Sequence, residues 1–302
     1  MSINTIAIQS PGDMGHAVGR ALGENGFNVI TCLAGRSERS RELASQGNMR
    51  EVPSYEALVE EADVVLSILV PAQATAVAAQ IADALRATGA HTPFADCNAV
   101  SPQTTAKMAS IVNGAGGRFI DGSIIGGPPG RGAPPRFYVS GPDAGLMSEL
   151  DGKGITVRPL GDAIGRASGI KMCYAAMTKG TSALHIALLT AAEALGLTEE
   201  LYAELESSQP EVFARMETAL PRLPANAHRW VGEMEEIAAT FSHLGVTPGF
   251  HQGAAEIFRL LGETPFASET PETVDRSRTL AQTISVVAKH LPAPVSKAGN
   301  GG

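Results

Sequence analysis

Short apolar runs alternate with helically spaced apolar positions through the first half of the chain. Residues 3–9 are apolar and end at Ser10-Pro11-Gly12, which predicts a buried strand running into a tight turn. Met14, Val18, Ala21 and Leu22 follow at helical spacing until Glu24-Asn25-Gly26 stops them. Residues 27–33 predict a second strand, 36–47 a helix, 62–70 a third strand closed by Pro71, and 72–86 an Ala-rich helix. Residues 93–96, 118–121 and 137–140 predict further short strands. This alternation predicts an α/β fold with a doubly wound parallel sheet.

The pattern changes after Gly161. Residues 167–195 lack proline and are packed with Ala, Leu, Ile and Met, which predicts one long, largely buried helix. Helical spacing recurs over 198–207, 211–219, 228–244, 248–261 and 271–290, with no strand pattern among them. An α/β domain is therefore expected over 1–163, an all-α domain over 164–291 and a flexible tail over 292–302.

Composition narrows the function. Apolar residues make up 44% of 302, enough for a core in each of two domains. A net charge of −8 makes nucleic acid and anionic membranes poor partners. Cys32, Cys97 and Cys173 stand far apart without metal-ligand spacing, so neither a disulfide framework nor a zinc site is expected. The strongest apolar stretch, 62–72, is too short to span a bilayer. A cytoplasmic protein is expected, with no membrane, nucleic-acid or metal partner.

The first strand–turn–helix carries the most specific chemistry. Ser10-Pro11-Gly12-Asp13-Met14-Gly15 follows the spacing of the dinucleotide fingerprint GxGxxG, with Ser10 in place of the first glycine. Gly12 would let backbone approach a pyrophosphate, and Gly15 would let the helix pack on the strand. The helix N-terminus would offer N–H groups and a positive dipole end to phosphate. The first domain is thus expected to be a Rossmann-type dinucleotide-binding domain. An NAD site usually places Asp or Glu at the end of the second strand. Arg36 and Ser37 stand there instead, with Arg39 and Arg41 nearby. A guanidinium and a hydroxyl suit a 2′-phosphate, so NADP(H) is the expected cofactor.

Together these segments resemble the β-hydroxyacid dehydrogenase superfamily, which includes 6-phosphogluconate and 3-hydroxyisobutyrate dehydrogenases. Gly12-Asp13-Met14-Gly15 is similar to the family's GxGxMG. The strand ending Leu69-Val70-Pro71 is similar to its cofactor-domain strand followed by proline. Asp96-Cys97-Asn98-Ala99-Val100-Ser101-Pro102 resembles its Asp-led substrate loop, Asp121-Gly122-Ser123-Ile124-Ile125-Gly126-Gly127 its Asp and Gly-Gly turn, and Gly165 to Lys171 its entry into a long helix with a catalytic lysine. The C-terminal half, notably 171–180 and 249–256, resembles a branch with its own phosphogluconate-dehydrogenase-like C-terminal domain.

The resemblance implies that Lys171 is the general acid or base while hydride moves between nicotinamide and a small hydroxy acid or related alcohol. It extends the cofactor site to Leu69, Val70, Pro71 and Asn98. It implies substrate contacts at Asn98, Ala99, Gly126 and Gly127. The family's later Lys-Asp pair is not visible in the region of Arg229 and Trp230, which either line the substrate pocket or pack a helix, and His251 either faces that pocket or caps a helix. The apolar second half, together with the resemblance, predicts a homodimer through the C-terminal domain. Ala175 replaces the family's asparagine one turn after the lysine, and Ile125 replaces the serine before the Gly-Gly turn. Tyr174 is either a substitute hydroxyl in catalysis or a packing residue. Two alternatives stand beside the dehydrogenase reading: an imine reductase, and a non-catalytic NADP-binding sensor.

Overall fold

The computed structural model describes residues 2–270 and 272–293, so the expected tail lies outside the described residues from position 294 onward. The chain divides into two compact units, Met1–Tyr174 with Ala239–Val246, and Ala175–Ala238 with Thr247–Gly302.

The first unit is built on one sheet of eight strands. They are β1 (Thr5–Gln9), β2 (Asn28–Cys32), β3 (Arg50–Val52), β4 (Val64–Ser67), β5 (Pro93–Asp96), β6 (Arg118–Ile125), β7 (Arg136–Ser140) and β8 (Thr156–Pro159), in the order β3-β2-β1-β4-β5-β6-β7-β8. The helices α1 (Asp13–Glu24), α2 (Glu38–Gln46), α3 (Tyr55–Glu61), α4 (Pro71–Thr88) and α5 (Pro102–Asn113) connect them. Alternate strand residues bury on opposite faces. Ile6, Ile8, Leu66 and Ile120 join Val18 and Leu22 of α1 in one core. Ala7, Val65, Phe94 and Phe119 join Leu58 of α3, Leu85 of α4 and Met108 of α5 in the other. Burial on both faces explains why these strands read as unbroken apolar runs. Each large side chain so buried contributes about 2 kcal/mol of hydrophobic stabilisation.

The doubly wound sheet is as expected, with two local differences. Strands β1 to β6 are mutually parallel, but β7 runs antiparallel to β6. The chain returns between them through a glycine- and proline-rich loop over 126–135, too short for a parallel crossover. Strand β6 also continues past its expected end at Asp121 to Ile125. Gly122 looks like a strand breaker, yet it is where β5 comes close: a Cβ there would lie 2.8 Å from the Asp96 carbonyl oxygen. The short edge strands β3 and β8 and the helices α3 and α5 lie outside the predicted elements, although Leu58 and Val59 of α3 and Met108, Ala109 and Val112 of α5 bury at helical spacing.

Helix α6 (Arg166–Leu195) enters the second unit at Ala175. It is followed by α7 (Thr198–Ser208), α8 (Pro210–Ala219), α9 (Pro224–His243), α10 (Gly249–Gly262) and α11 (Leu280–Lys289). Helix α11 begins well after the expected start at Pro271, which itself lies outside the described residues. Arg278 stops an earlier start. It bonds Glu269 and the Pro221 carbonyl and lies 3.9 Å from the Phe266 ring centroid, and Thr279 with Gln282 then forms a capping box. No helix among the described residues is long and apolar enough to cross a membrane. None of their His, Cys, Asp and Glu side chains gather into a group that could hold a metal ion.

One interaction ties α6 to the sheet. The Asp121 carboxylate, buried on β6, accepts from the backbone N–H of Gly165 (2.8 Å), Ala167 (3.0 Å) and Ser168 (3.1 Å), and from the Ser140 hydroxyl (2.8 Å). These are the N–H groups a helix N-terminus leaves unsatisfied. Two residues on, the Ser123 hydroxyl donates to the Ala167 carbonyl at 2.7 Å. Asp121→Ala should lower the unfolding free energy by about 2–3 kcal/mol in urea denaturation, because several buried donors lose their partner at once. A loss below about 0.5 kcal/mol would mean that the clamp is redundant.

Candidate functional site

The sheet reverses its strand order at β1, which β2 and β4 flank, so the carboxyl ends of these strands open the crevice where α/β proteins bind ligands. Ser10 follows β1 with φ +66, the left-handed conformation that the fingerprint's first glycine adopts without strain. The Gly12 N–H then donates to the Ser10 carbonyl at 2.8 Å, and α1 starts with Gly12 as an N-cap that offers no side chain. The two remaining glycines differ in what they answer to. A Cβ on Gly15 would lie 2.8 Å from the Ser10 carbonyl oxygen, so its absence serves internal packing. A Cβ on Gly12 would meet nothing within 4 Å, and its φ of −90 suits any residue. Nothing in the chain requires glycine there, which leaves close approach of a ligand as the reason.

At the end of β2, Gly35 takes φ +69 and Arg36 N–H closes the turn onto the Leu33 carbonyl at 3.0 Å. The Arg36 guanidinium reaches Gln73 Oε1 at 3.5 Å, while its Nε is buried without a partner. Ser37 caps α2, accepting from the Ser40 N–H at 3.3 Å. Arg39 pairs with Asp13 in the first turn of α1 at 2.6 Å, so it offsets a carboxylate that would repel phosphate there. Arg41 donates to the Leu33 carbonyl at 2.9 Å and shapes the turn. Ser10 Oγ and Gln9 Oε1 are likewise buried without partners at the end of β1.

Between β4 and β5, Asn98 is buried and committed. Its Oδ1 accepts from the Leu69 N–H at 2.6 Å, and its Nδ2 donates to Ser67 Oγ at 3.0 Å and Asp96 Oδ1 at 2.5 Å. Leu69, Val70 and Pro71 are partly buried where α4 begins, and Ala99 is half-buried beside Asn98. Burial pushes the Asp96 carboxyl up to about 7, against the lowering hydrogen bonds from Asn98. Burial raises Asp121 as well, against the bonds it accepts from Ser140 and the α6 N-terminus.

Lys171 lies one turn into α6 from the Asp121 clamp. Its ammonium donates to the Ile124 carbonyl at 2.8 Å, which places it at the start of the Gly126-Gly127 turn. It is half-buried. Both glycines of the turn are exposed, and Gly126 takes φ +126. Tyr174, at the end of the first unit, is 42% exposed.

In the second unit, Trp230 packs edge-on against Phe258 with ring centroids 5.3 Å apart. The Lys179 ammonium lies 5.2 Å from the Trp230 ring and pairs with Glu233, both side chains being largely buried. Burial lowers the Lys179 pKa, and Glu233 opposes that shift. Arg229 bonds Asn226. His251 is buried against Gly180, and its pKa is lowered by burial. Arg229, Trp230 and His251 were legible as candidates in the sequence. The Lys179–Glu233 pair was not, because its partners lie 54 residues apart and on different helices.

Residues 5–148 match the family described as the NAD binding domain of 6-phosphogluconate dehydrogenase. Just under half of the chain is thus similar to that family. The match, with the superfamily resemblance of the motifs, supports a nicotinamide dinucleotide as the cofactor. Residues 192–261 match a second family, a domain of unknown function. An uncharacterised 28.5 kDa protein of Methanothermus fervidus is 29% identical over 185 residues, which are 61% of this chain and 70% of that one. A solved conserved protein of unknown function, described as structurally similar to 3-hydroxyacid dehydrogenases, is 28% identical with a TM-score of 0.64, over 86% of this chain and 97% of its own. Mycobacterium tuberculosis 3-hydroxyisobutyrate dehydrogenase, solved with L-serine, shares the fold at 20% identity and a TM-score of 0.66, over 94% of this chain and 99% of its own.

The residues present fit the NAD-binding family's cofactor. The unhindered Gly12, the uncapped α1 N-terminus and the unpartnered Ser10 Oγ and Arg36 Nε are features that a bound dinucleotide would satisfy. The glycines give a test. Gly12→Ala should keep the unfolding free energy within about 1 kcal/mol of wild type yet weaken dinucleotide binding at least tenfold in calorimetric titration. Gly15→Ala should cost about 1–3 kcal/mol with no ligand present. Wild-type affinity in Gly12→Ala would show that no ligand approaches this backbone.

Proposed function

We propose that the protein is an NADP(H)-dependent oxidoreductase that interconverts a small hydroxy acid, or a related alcohol, with its carbonyl form. In this reading residues 1–163 serve the cofactor and 164–291 the substrate and dimerisation. The observation that carries the reading is the Lys171 ammonium beside the Gly126-Gly127 turn, held there by a helix whose N-terminus is clamped to the same strand. Bound cofactor supplies the hydride donor or acceptor. Lys171 Nζ gives a proton to the carbonyl oxygen during reduction and takes one from the hydroxyl during oxidation. The exposed backbone of Gly126 and Gly127 offers N–H groups to a carboxylate.

Arg36 supports NADP(H) over NAD(H), since its guanidinium stands where an acidic residue would bind an unphosphorylated ribose. Ser37 and the Arg39–Asp13 pair frame the same corner. Asn98 acts through the Leu69-Val70-Pro71 backbone that it holds, and Ala99 lies alongside. In the second unit, Arg229, Trp230 and His251 contact the substrate in this reading. It also includes a cytoplasmic homodimer. Met177, Leu184 and Leu195 share one face of α6 and are 62%, 61% and 72% exposed, an apolar surface that a second copy would cover.

Turnover of a panel of hydroxy acids, aldehydes and cyclic imines tests the reading. NADPH should exceed NADH at least tenfold in kcat/KM, and Lys171→Ala should lose turnover while still binding NADPH. Equal use of the two cofactors would remove Arg36 as the determinant, and unchanged turnover would remove Lys171 from the mechanism.

A further inference from the structure

The buried carboxyl group at the end of β5 is not used by the chemistry proposed above. Asp96 is 1% exposed; its Oδ1 accepts from Asn98 Nδ2 at 2.5 Å, and the Asn98 N–H and the Ser67 hydroxyl also favour its charged form. Its other oxygen, Oδ2, is buried without a partner. An enclosed carboxyl with a spare oxygen is costly, so it needs a reason.

The reason lies in the amide it faces. An Asn side chain can sit either way round in a pocket of its shape, and only its neighbours decide. Asp96 and Ser67 both take hydrogens from Asn98 Nδ2, so Asn98 Oδ1 must point to the Leu69 N–H, 2.6 Å away. That bond fixes the backbone immediately before Val70, the N-cap of α4, which also has no side-chain cap. We propose that Asp96 is a positioning residue for the cofactor: through Asn98 it sets the Leu69-Val70-Pro71 backbone at the strand ends that receive the dinucleotide. The inference rests on the reading of these strand ends as the nicotinamide-cofactor site.

The arrangement makes cofactor affinity depend on pH. Asp121 faces Asp96 from β6 as its paired residue, Cys97 follows it on the chain, and β4 contributes the uncharged Ser67 hydroxyl. Burial and Asp121 both raise the Asp96 pKa, to about 7. An ionised carboxylate is the stronger acceptor for Asn98, so the backbone is held better above pH 7 than below it. Stability has the opposite slope. Between the ordinary carboxylate range and about 7, the folded chain keeps a proton that the unfolded chain has released, so this group's contribution is lost as pH rises.

The test is NADPH binding by calorimetric titration from pH 6 to 8, in wild type, Asp96→Asn, Asn98→Ala and the double variant. Asp96→Asn should bind about as wild type does at pH 6 and roughly tenfold more weakly at pH 8. The double variant should be no weaker than Asn98→Ala alone. Thermal melts report folding independently: the melting temperature of Asp96→Asn relative to wild type should rise from pH 5 to pH 8. Ser67→Ala, which removes the other acceptor from the same amide, should also weaken binding. A wild type that binds no dinucleotide overturns the cofactor reading and this inference with it. A wild type that binds NADPH, beside a folded Asp96→Asn of equal affinity at every pH, or additive losses in the double variant, overturns this inference alone.

Discussion

The Asp121 carboxylate is the constraint on which the rest of the first unit depends. A parallel strand and a long helix have no intrinsic reason to keep a fixed register. Asp121 supplies one by accepting from the first free N–H groups of α6, with Ser140 and Ser123 completing the join. The favourable charge–dipole interaction at a helix N-terminus adds to the hydrogen bonds. The cost is an enclosed carboxyl whose pKa burial raises. One turn further along α6, the same alignment delivers Lys171 to the Ile124 carbonyl of the same strand. The position of the proposed acid–base group is thus set by backbone register and not by the reach of a flexible side chain.

The carboxyl ends of the strands carry a second regularity. Buried polar atoms without partners gather there: Gln9 Oε1, Ser10 Oγ, Arg36 Nε and Asp96 Oδ2. Such groups are costly in a finished core and are expected where a ligand is to be held. Around them the charges are arranged to tolerate phosphate. Arg39 offsets Asp13, and the uncapped N-terminus of α1 stays open.

Much of this was legible in the chain itself, for identifiable reasons. Strands buried on both faces leave continuous apolar runs, and the proline-free run to Leu195 marks α6. The glycine spacing marked the turn after β1 that we propose holds phosphate, and the resemblance pointed to Lys171. What escaped depends on contacts between distant residues. The reversal at β7 follows from a loop, not from any periodicity in the strand. Gly122 reads as a breaker until β5 is seen beside it. Asp121 and Ala167 are 46 positions apart, and Asn98 and Leu69 are 29 apart, so a motif could mark Asp96, Asn98 and Asp121 without showing what each holds. The pairing of Arg39 with Asp13 appears only when α1 and α2 are packed together.

We propose that these strand ends, with Lys171 bonded to the Ile124 carbonyl ahead of the Gly126-Gly127 turn, form an NADP(H) site. A crystal structure of the protein with NADPH measures it most directly. The pyrophosphate should lie against the Gly12 backbone and the 2′-phosphate on the Arg36 guanidinium. Density for the cofactor elsewhere, or an adenosine ribose turned away from Arg36, would contradict it.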